Sequence, residues 1–143
     1  MPIVRCSAQK RITLEEFYQK LITEEDSTFT QEAGKGMLSL LKMANNTFIK
    51  TTLYGLTSLY KLYIQPTDNW KDGSFLSVIS LDKNTFELEY DMPSNKSPWR
   101  GATVRGLANN IEEAKVFLII AMVESNGWQN NEELMKLYNK IKA

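Results

Sequence analysis

The stretch KVFLIIAMVESNGW, residues 115–128, holds eight consecutive apolar residues, Val116 to Val123, and stops at Glu124. Upstream, Asn110 is followed by Glu112 and Glu113, a capping residue with acids in the next turn, where they favour the helix dipole. Downstream, Asn126-Gly127 offers a left-handed C-terminal cap and Trp128 the hydrophobic contact that closes one. These signals predict a helix from Ile111 to about Ser125 whose last two turns are apolar on nearly every side. Such a helix must be covered on more than one side. The economical arrangement lays it on a sheet with another helix over it, and places Phe117 and Ile120 in the core. Each large apolar side chain fully buried there contributes roughly 1.5–3 kcal/mol. A membrane span needs about 20 apolar residues, far more than this run supplies.

The flanking segments supply the sheet and the helices. Thr13 and Glu16 have capping-box spacing, Ile12 and Phe17 the spacing of a hydrophobic staple, and Leu14, Phe17, Tyr18, Leu21 and Ile22 form one helical stripe. Residues 31–44 read as a second helix, starting late because Gly34 and Gly36 loosen its first turn and leaving at Asn45-Asn46. From Thr47 the period becomes two. TFIKTTLYG and SLYKLYIQP predict a pair of strands turning at Gly55 to Thr57, and SFLSVISL and TFELEYDM a hairpin around Asp82-Lys83-Asn84. ATVRGLA makes a fifth strand, and PIVRC fits a short strand as well as it fits the setting of a reactive Cys6. A last helix, with Asn130 and Glu133 at capping-box spacing, carries Leu134, Leu137, Tyr138 and Ile141 on one stripe. The expected fold is therefore α+β: one domain over residues 1–143, with an antiparallel sheet of four to five strands packed against N-terminal and C-terminal helices.

Composition narrows the chemistry. Seventeen basic and seventeen acidic residues cancel, which gives no footprint for nucleic acid. The chain has no histidine, so the Ser-His-Asp and Cys-His arrangements and a near-neutral imidazole shuttle are absent. Cys6 is the single cysteine, and no disulfide joins the chain to itself. With no apolar signal core at the N-terminus, the expected location is the cytoplasm. AGKGMLS lacks the spacing and the preceding strand of a phosphate loop. Cys6 beside Arg5 has a cation that favours thiolate but no base to work with. Asp68 and Asp72, beside Trp70 and Gly73, read as loop chemistry. No cofactor or metal site is expected.

Two features point instead to protein binding. Glu87, Glu89 and Asp91 alternate with Phe86, Leu88 and Tyr90, giving the strand an acidic face that is either a plain solvated face, the favoured reading, or one that attracts a basic partner. Pro98-Trp99-Arg100-Gly101 is the residue mixture enriched at interface hot spots, although the favoured reading folds Trp99 back as a lid on the edge of the core; Trp70 poses the same choice. Residues 59–64 are apolar on both faces, Tyr60, Leu62 and Ile64 against Leu59 and Tyr63, which predicts a central strand covered on both sides in preference to a sticky open face.

The segment from LYGLTSLYKLYIQP through SPWRGATVRG to AMVESNGW is similar to small uncharacterised bacterial α+β proteins of the toxin-immunity type, over residues 53–128 and through Trp99, Gly101, Gly106, Ala121, Met122, Gly127 and Trp128. That resemblance implies a bacterial interaction protein. The expected function is a protein-binding inhibitor that neutralises a basic toxin domain through Glu87, Glu89, Asp91, Trp99 and Arg100. The alternatives are a self-associating scaffold and a carboxylate-based enzyme or small-ligand binder.

Overall fold

The computed structural model describes residues 3–9, 11–69, 71 and 75–143, so the readings of Trp70, Asp72 and Gly73 lie outside the described residues. Helix α1 (Leu14–Thr23) begins as its sequence requires. The Thr13 hydroxyl accepts the Glu16 N–H and the Glu16 carboxylate accepts the Thr13 N–H, each at 3.1 Å. Helix α2 (Thr28–Thr47) is capped by Ser27 and starts earlier than the glycines suggest. Gly34 and Gly36 are both buried in its interior, where they let the backbone approach its neighbours. A Cβ on Gly34 would come within 2.9 Å of the Tyr18 carbonyl oxygen of α1, and one on Gly36 within 2.5 Å of the Asp82 carbonyl oxygen.

Six strands follow the order β1-β2-β3-β4-β5-β6 in one sheet. They are β1 (Ile3–Arg5), β2 (Leu53–Ser58), β3 (Lys61–Gln65), β4 (Leu76–Ser80), β5 (Phe86–Asp91) and β6 (Thr103–Ala108). The last five pair antiparallel in sequence, but β1 pairs parallel with β2, Val4 opposite Tyr54. The sheet is thus mixed and six-stranded, where an antiparallel sheet of four to five strands was expected. The reason is the crossover: two helices separate β1 from β2, and a connection that long lets a strand return alongside its predecessor in the same direction. The β2–β3 reversal also differs. It falls at Leu59-Tyr60, with Leu59 at φ 55°, while Gly55 lies inside β2 where Leu14 of α1 rests against it.

All the helices sit on one side. Leu53, Gly55, Leu62, Ile64, Val78, Ser80, Phe86 and Leu88 share the buried face by register. α1 meets this face at Gly55, α2 at Ser80, and α3 (Ile111–Glu124) at Gly106, where the Phe117 ring lies against the backbone. Helix α4 (Glu132–Lys142) packs on α3 rather than on the sheet. α3 is therefore sandwiched as its composition demands. Its fully buried residues, however, are Ala114, Leu118, Ile119, Ala121 and Met122, while Phe117 and Ile120 are only partly buried.

One chain turn follows expectation and one departs from it. After α3 the left-handed residue is Asn126, at φ 62°, within the predicted Asn126-Gly127 pair, and Trp128 is buried against the Phe75 ring. α4 is capped by Asn131, one residue later than predicted, because the Glu133 carboxylate serves elsewhere. It accepts the backbone N–H groups of Ile49, Lys50 and Thr51 at 2.8, 3.0 and 2.9 Å and the Thr51 hydroxyl at 2.7 Å. This carboxylate ties the α2–β2 connection to α4. Burial alone would raise its pKa, but these four donors more than offset that and hold it below its ordinary value.

Gly36→Ala tests the close approach by its sign. In an isolated helix the change would stabilise by about 1 kcal/mol; here it should destabilise by about 2 kcal/mol, because the Asp82 backbone must move. Chemical denaturation reads the difference. For Glu133, a lowered folded-state pKa means its contribution is present above the ordinary value of 4.5 and lost as pH falls through the folded value. Glu133→Gln should accordingly cost about 1 kcal/mol at neutral pH, discounted for partial exposure, and progressively less in acid. A pH series of denaturation midpoints for the two proteins checks it.

Candidate protein-docking surface

Residues that alternate with the buried set point to the opposite side of the sheet, which carries no α-helix among the described residues. Across the strands this face presents Val4, Tyr54 and Leu56, Tyr63, Ile79, Glu87 and Glu89, and Arg105 and Leu107. Tyr54, Leu56, Tyr63 and Ile79 are half-buried and Leu107 is 51% exposed. Gln65 and Ser77, opposite Tyr54 and Tyr63 on the same face, are by contrast buried, the Gln65 amide donating to the Cys6 sulfur and the Thr67 carbonyl. The expectation that β3 is covered on both sides is overturned: Leu62 and Ile64 lie under the helices, and Tyr63 faces outward with Lys61 over its ring. Leu59, grouped with Tyr63 in the sequence, is instead the exposed turn residue.

The acidic row lies on this face, but it is not free. Glu89 stands opposite Arg105 and Glu87 opposite Leu107 across the β5–β6 pair, so the guanidinium spans both carboxylates, at 3.3 Å from each. The Thr103 hydroxyl adds a hydrogen bond to Glu89 at 3.2 Å. Asp91, at the end of the row, is pushed above the usual carboxylate pKa by partial burial and then by neighbouring Glu89. Arg105 was the part of this site that sequence reading missed. Its signal was present: a cation at the alternating position of the next strand of a predicted antiparallel sheet.

Beyond the Asp91–Thr103 rung, the β5–β6 connection carries Trp99 and Arg100, both exposed, with Trp99 at 72%. Trp99 does not close over the core. Its carbonyl oxygen accepts from the Ser97 hydroxyl and from the Ala102 N–H, and Gly101 makes the turn at φ 82°. Lys96 anchors the same loop to Glu124 at 3.5 Å, and Glu124 accepts the Tyr138 hydroxyl at 2.7 Å. The loop thus holds its indole at the end of the sheet, continuous in the chain with the row of Glu87, Glu89 and Asp91.

The other chemistry considered in the sequence finds no support in placement. Cys6 is 1% exposed, accepts a 3.5 Å contact from the Gln65 amide, and has a thiol pKa raised by burial and by Asp68, so it is held as the protonated thiol. Asp68 accepts the Ser7 N–H. Among the described residues, no three His, Cys, Asp or Glu groups stand close enough to hold a metal ion, and no helix is long and apolar enough to cross a membrane. AGKGMLS lies in the middle of α2. Comparisons with protein-family models, curated proteins and solved structures find no match to this chain.

Proposed function

We propose that this chain is a protein-binding inhibitor of the toxin-immunity kind, and that it docks through the helix-free face of its sheet. The observation that carries the reading is the set of Tyr54, Leu56, Tyr63 and Ile79 across three adjacent strands, with no α-helix over it among the described residues. A contiguous apolar surface rimmed by polar groups is the usual mark of an interaction site. Aromatic residues enriched at interface centres, here Tyr54 and Tyr63 with Trp99 at the margin, supply large contact area at low entropic cost. The charge pattern refines the partner. Arg105 neutralises much of the Glu87–Glu89 pair, so the fitting surface is one of mixed charge around an apolar centre, not a uniformly basic one.

Catalysis by the same carboxylates fits this setting poorly. Glu87 and Glu89 sit on an open surface, each 3.3 Å from the Arg105 guanidinium, whereas general-base carboxylates work in enclosed clefts beside the reacting group.

Leu56→Lys with Ile79→Lys places two charges in the centre of this face without touching the helix side. Co-purification with the product of the neighbouring reading frame should be lost in this double variant, while its thermal midpoint stays close to that of the parent. Retention of the partner by the double variant would show that binding uses another surface. A concentration-dependent dimer of the parent that the same changes dissolve would assign the face to self-association instead.

A further inference from the structure

The sheet has two edges, and the protein treats them differently. On the β1 side the edge is closed by side chains. β1 covers only Leu53 to Gly55 of β2, and beyond it the Gln9 amide takes over the role of a strand. Its oxygen accepts the Thr57 N–H at 2.8 Å and its nitrogen donates to the Thr57 carbonyl at 2.9 Å. The Cys6 N–H meets the Gly55 carbonyl, and the Asn45 side chain accepts the Ile3 N–H. These are the devices by which natural sheets block an edge against pairing.

The β6 edge has no such cover among the described residues. The Met92 N–H donates to Ala102, whereas the Asp91 N–H turns the other way to Phe75. In an antiparallel pair this alternation sends the backbone groups of Val104, Gly106 and Ala108 to β5. Those of Thr103, Arg105 and Leu107 therefore point outward from the sheet. Beside this edge, on the helix side, a groove of about 200 Å³ runs between β6 and α3, lined chiefly by Leu88, Tyr90, Val104, Gly106, Phe117 and Ile120. Phe117 and Ile120 are only partly buried because this groove leaves them open.

We propose that β6 accepts an extended peptide segment of another protein as a seventh strand. Unpaired main-chain groups supply the attachment and the adjoining groove takes every second side chain, the mode known as strand addition. The groove selects bulky apolar residues. On the other face the added strand lies beside Arg105, whose side chain is 65% exposed, and an acidic residue opposite it is favoured. A second copy of this chain fits less well. The helix-side residues of β6 are Val104, Gly106 and Ala108, too small to fill the groove, and the register that centres on Arg105 sets two guanidinium groups against each other. The inference goes beyond the docking face: it concerns the edge and groove, and its variants differ from those that probe Leu56 and Ile79.

The test uses synthetic peptides of about eight residues, the length of an ordinary strand with its flanks. Alternate positions are Leu or Phe, and the central intervening position is Glu or Lys. Titrated into the intact protein, the Glu peptides should shift the amide resonances of Thr103, Arg105 and Leu107 and slow their hydrogen exchange. They should bind about fivefold more tightly than the Lys peptides. Leu107→Pro removes one outward N–H without breaking the β5 ladder, since an edge strand tolerates proline whose nitrogen faces away from the sheet. It should abolish binding, while Leu107→Ala, which keeps the N–H, should not. Val104→Lys, at the groove, should weaken binding without affecting the docking face. The proposal is overturned if no peptide in the set binds at millimolar concentration. Equal binding by the proline variant, or shifts confined to Tyr54, Leu56 and Ile79, overturns it as well.

Discussion

α3 buries Leu118, Ile119, Ala121 and Met122 and has no continuous polar face to give to water, so it requires surfaces on two sides at once. The sheet supplies one through β5 and β6, and α4 supplies the other. α4 is in turn fixed by Glu133, which gathers the N–H groups of residues 49–51, and by Tyr138, which donates to Glu124. Two helices stacked on one end of the sheet and α1 with α2 on the other use all the α-helices of the described residues. The outer face is left open as a consequence of how the inner one is satisfied.

Much of this was legible from local signals. Capping at Thr13 and Asn110, the hairpin at residues 82–84 and the sandwiching of α3 each rest on a few adjacent residues, and each holds. What failed depended on distant partners. Gly34 and Gly36 read as weak points of a helix when only propensity is considered; contact with Tyr18 and Asp82 makes them necessary. Glu133 has the spacing of a cap residue, yet three backbone amides more than eighty positions away claim it. The β1 strand is three residues long, and its parallel pairing follows from a crossover that no local pattern reveals.

The candidate site was legible in the same uneven way. Alternation placed Glu87, Glu89 and Asp91 on one face, and composition marked the Trp99-Arg100 loop as exposed or folded back. At β3, however, the same side of the sheet was read as covered, because an apolar Tyr63 beside Leu62 fits a buried central strand as well as an open one. Period-two patterning states which residues share a side; only the number of helices available and the side they take decide which face is wet. Here Gly55, Ser80 and Gly106 receive three helices on one side, and the acidic row becomes part of a mixed surface held in place by Arg105.

One-sided cover is the claim on which the docking face depends. Methyl relaxation in the presence of a neutral, soluble paramagnetic agent measures it directly. The methyl signals of Leu56, Ile79 and Leu107 should broaden strongly, while those of Leu62, Ile64 and Val78, on the same strands or their neighbours but beneath the helices, should remain sharp. Equal protection of Leu56 and Ile79 with Leu62 and Val78 would contradict the account, since it would mean that both faces of the sheet are covered.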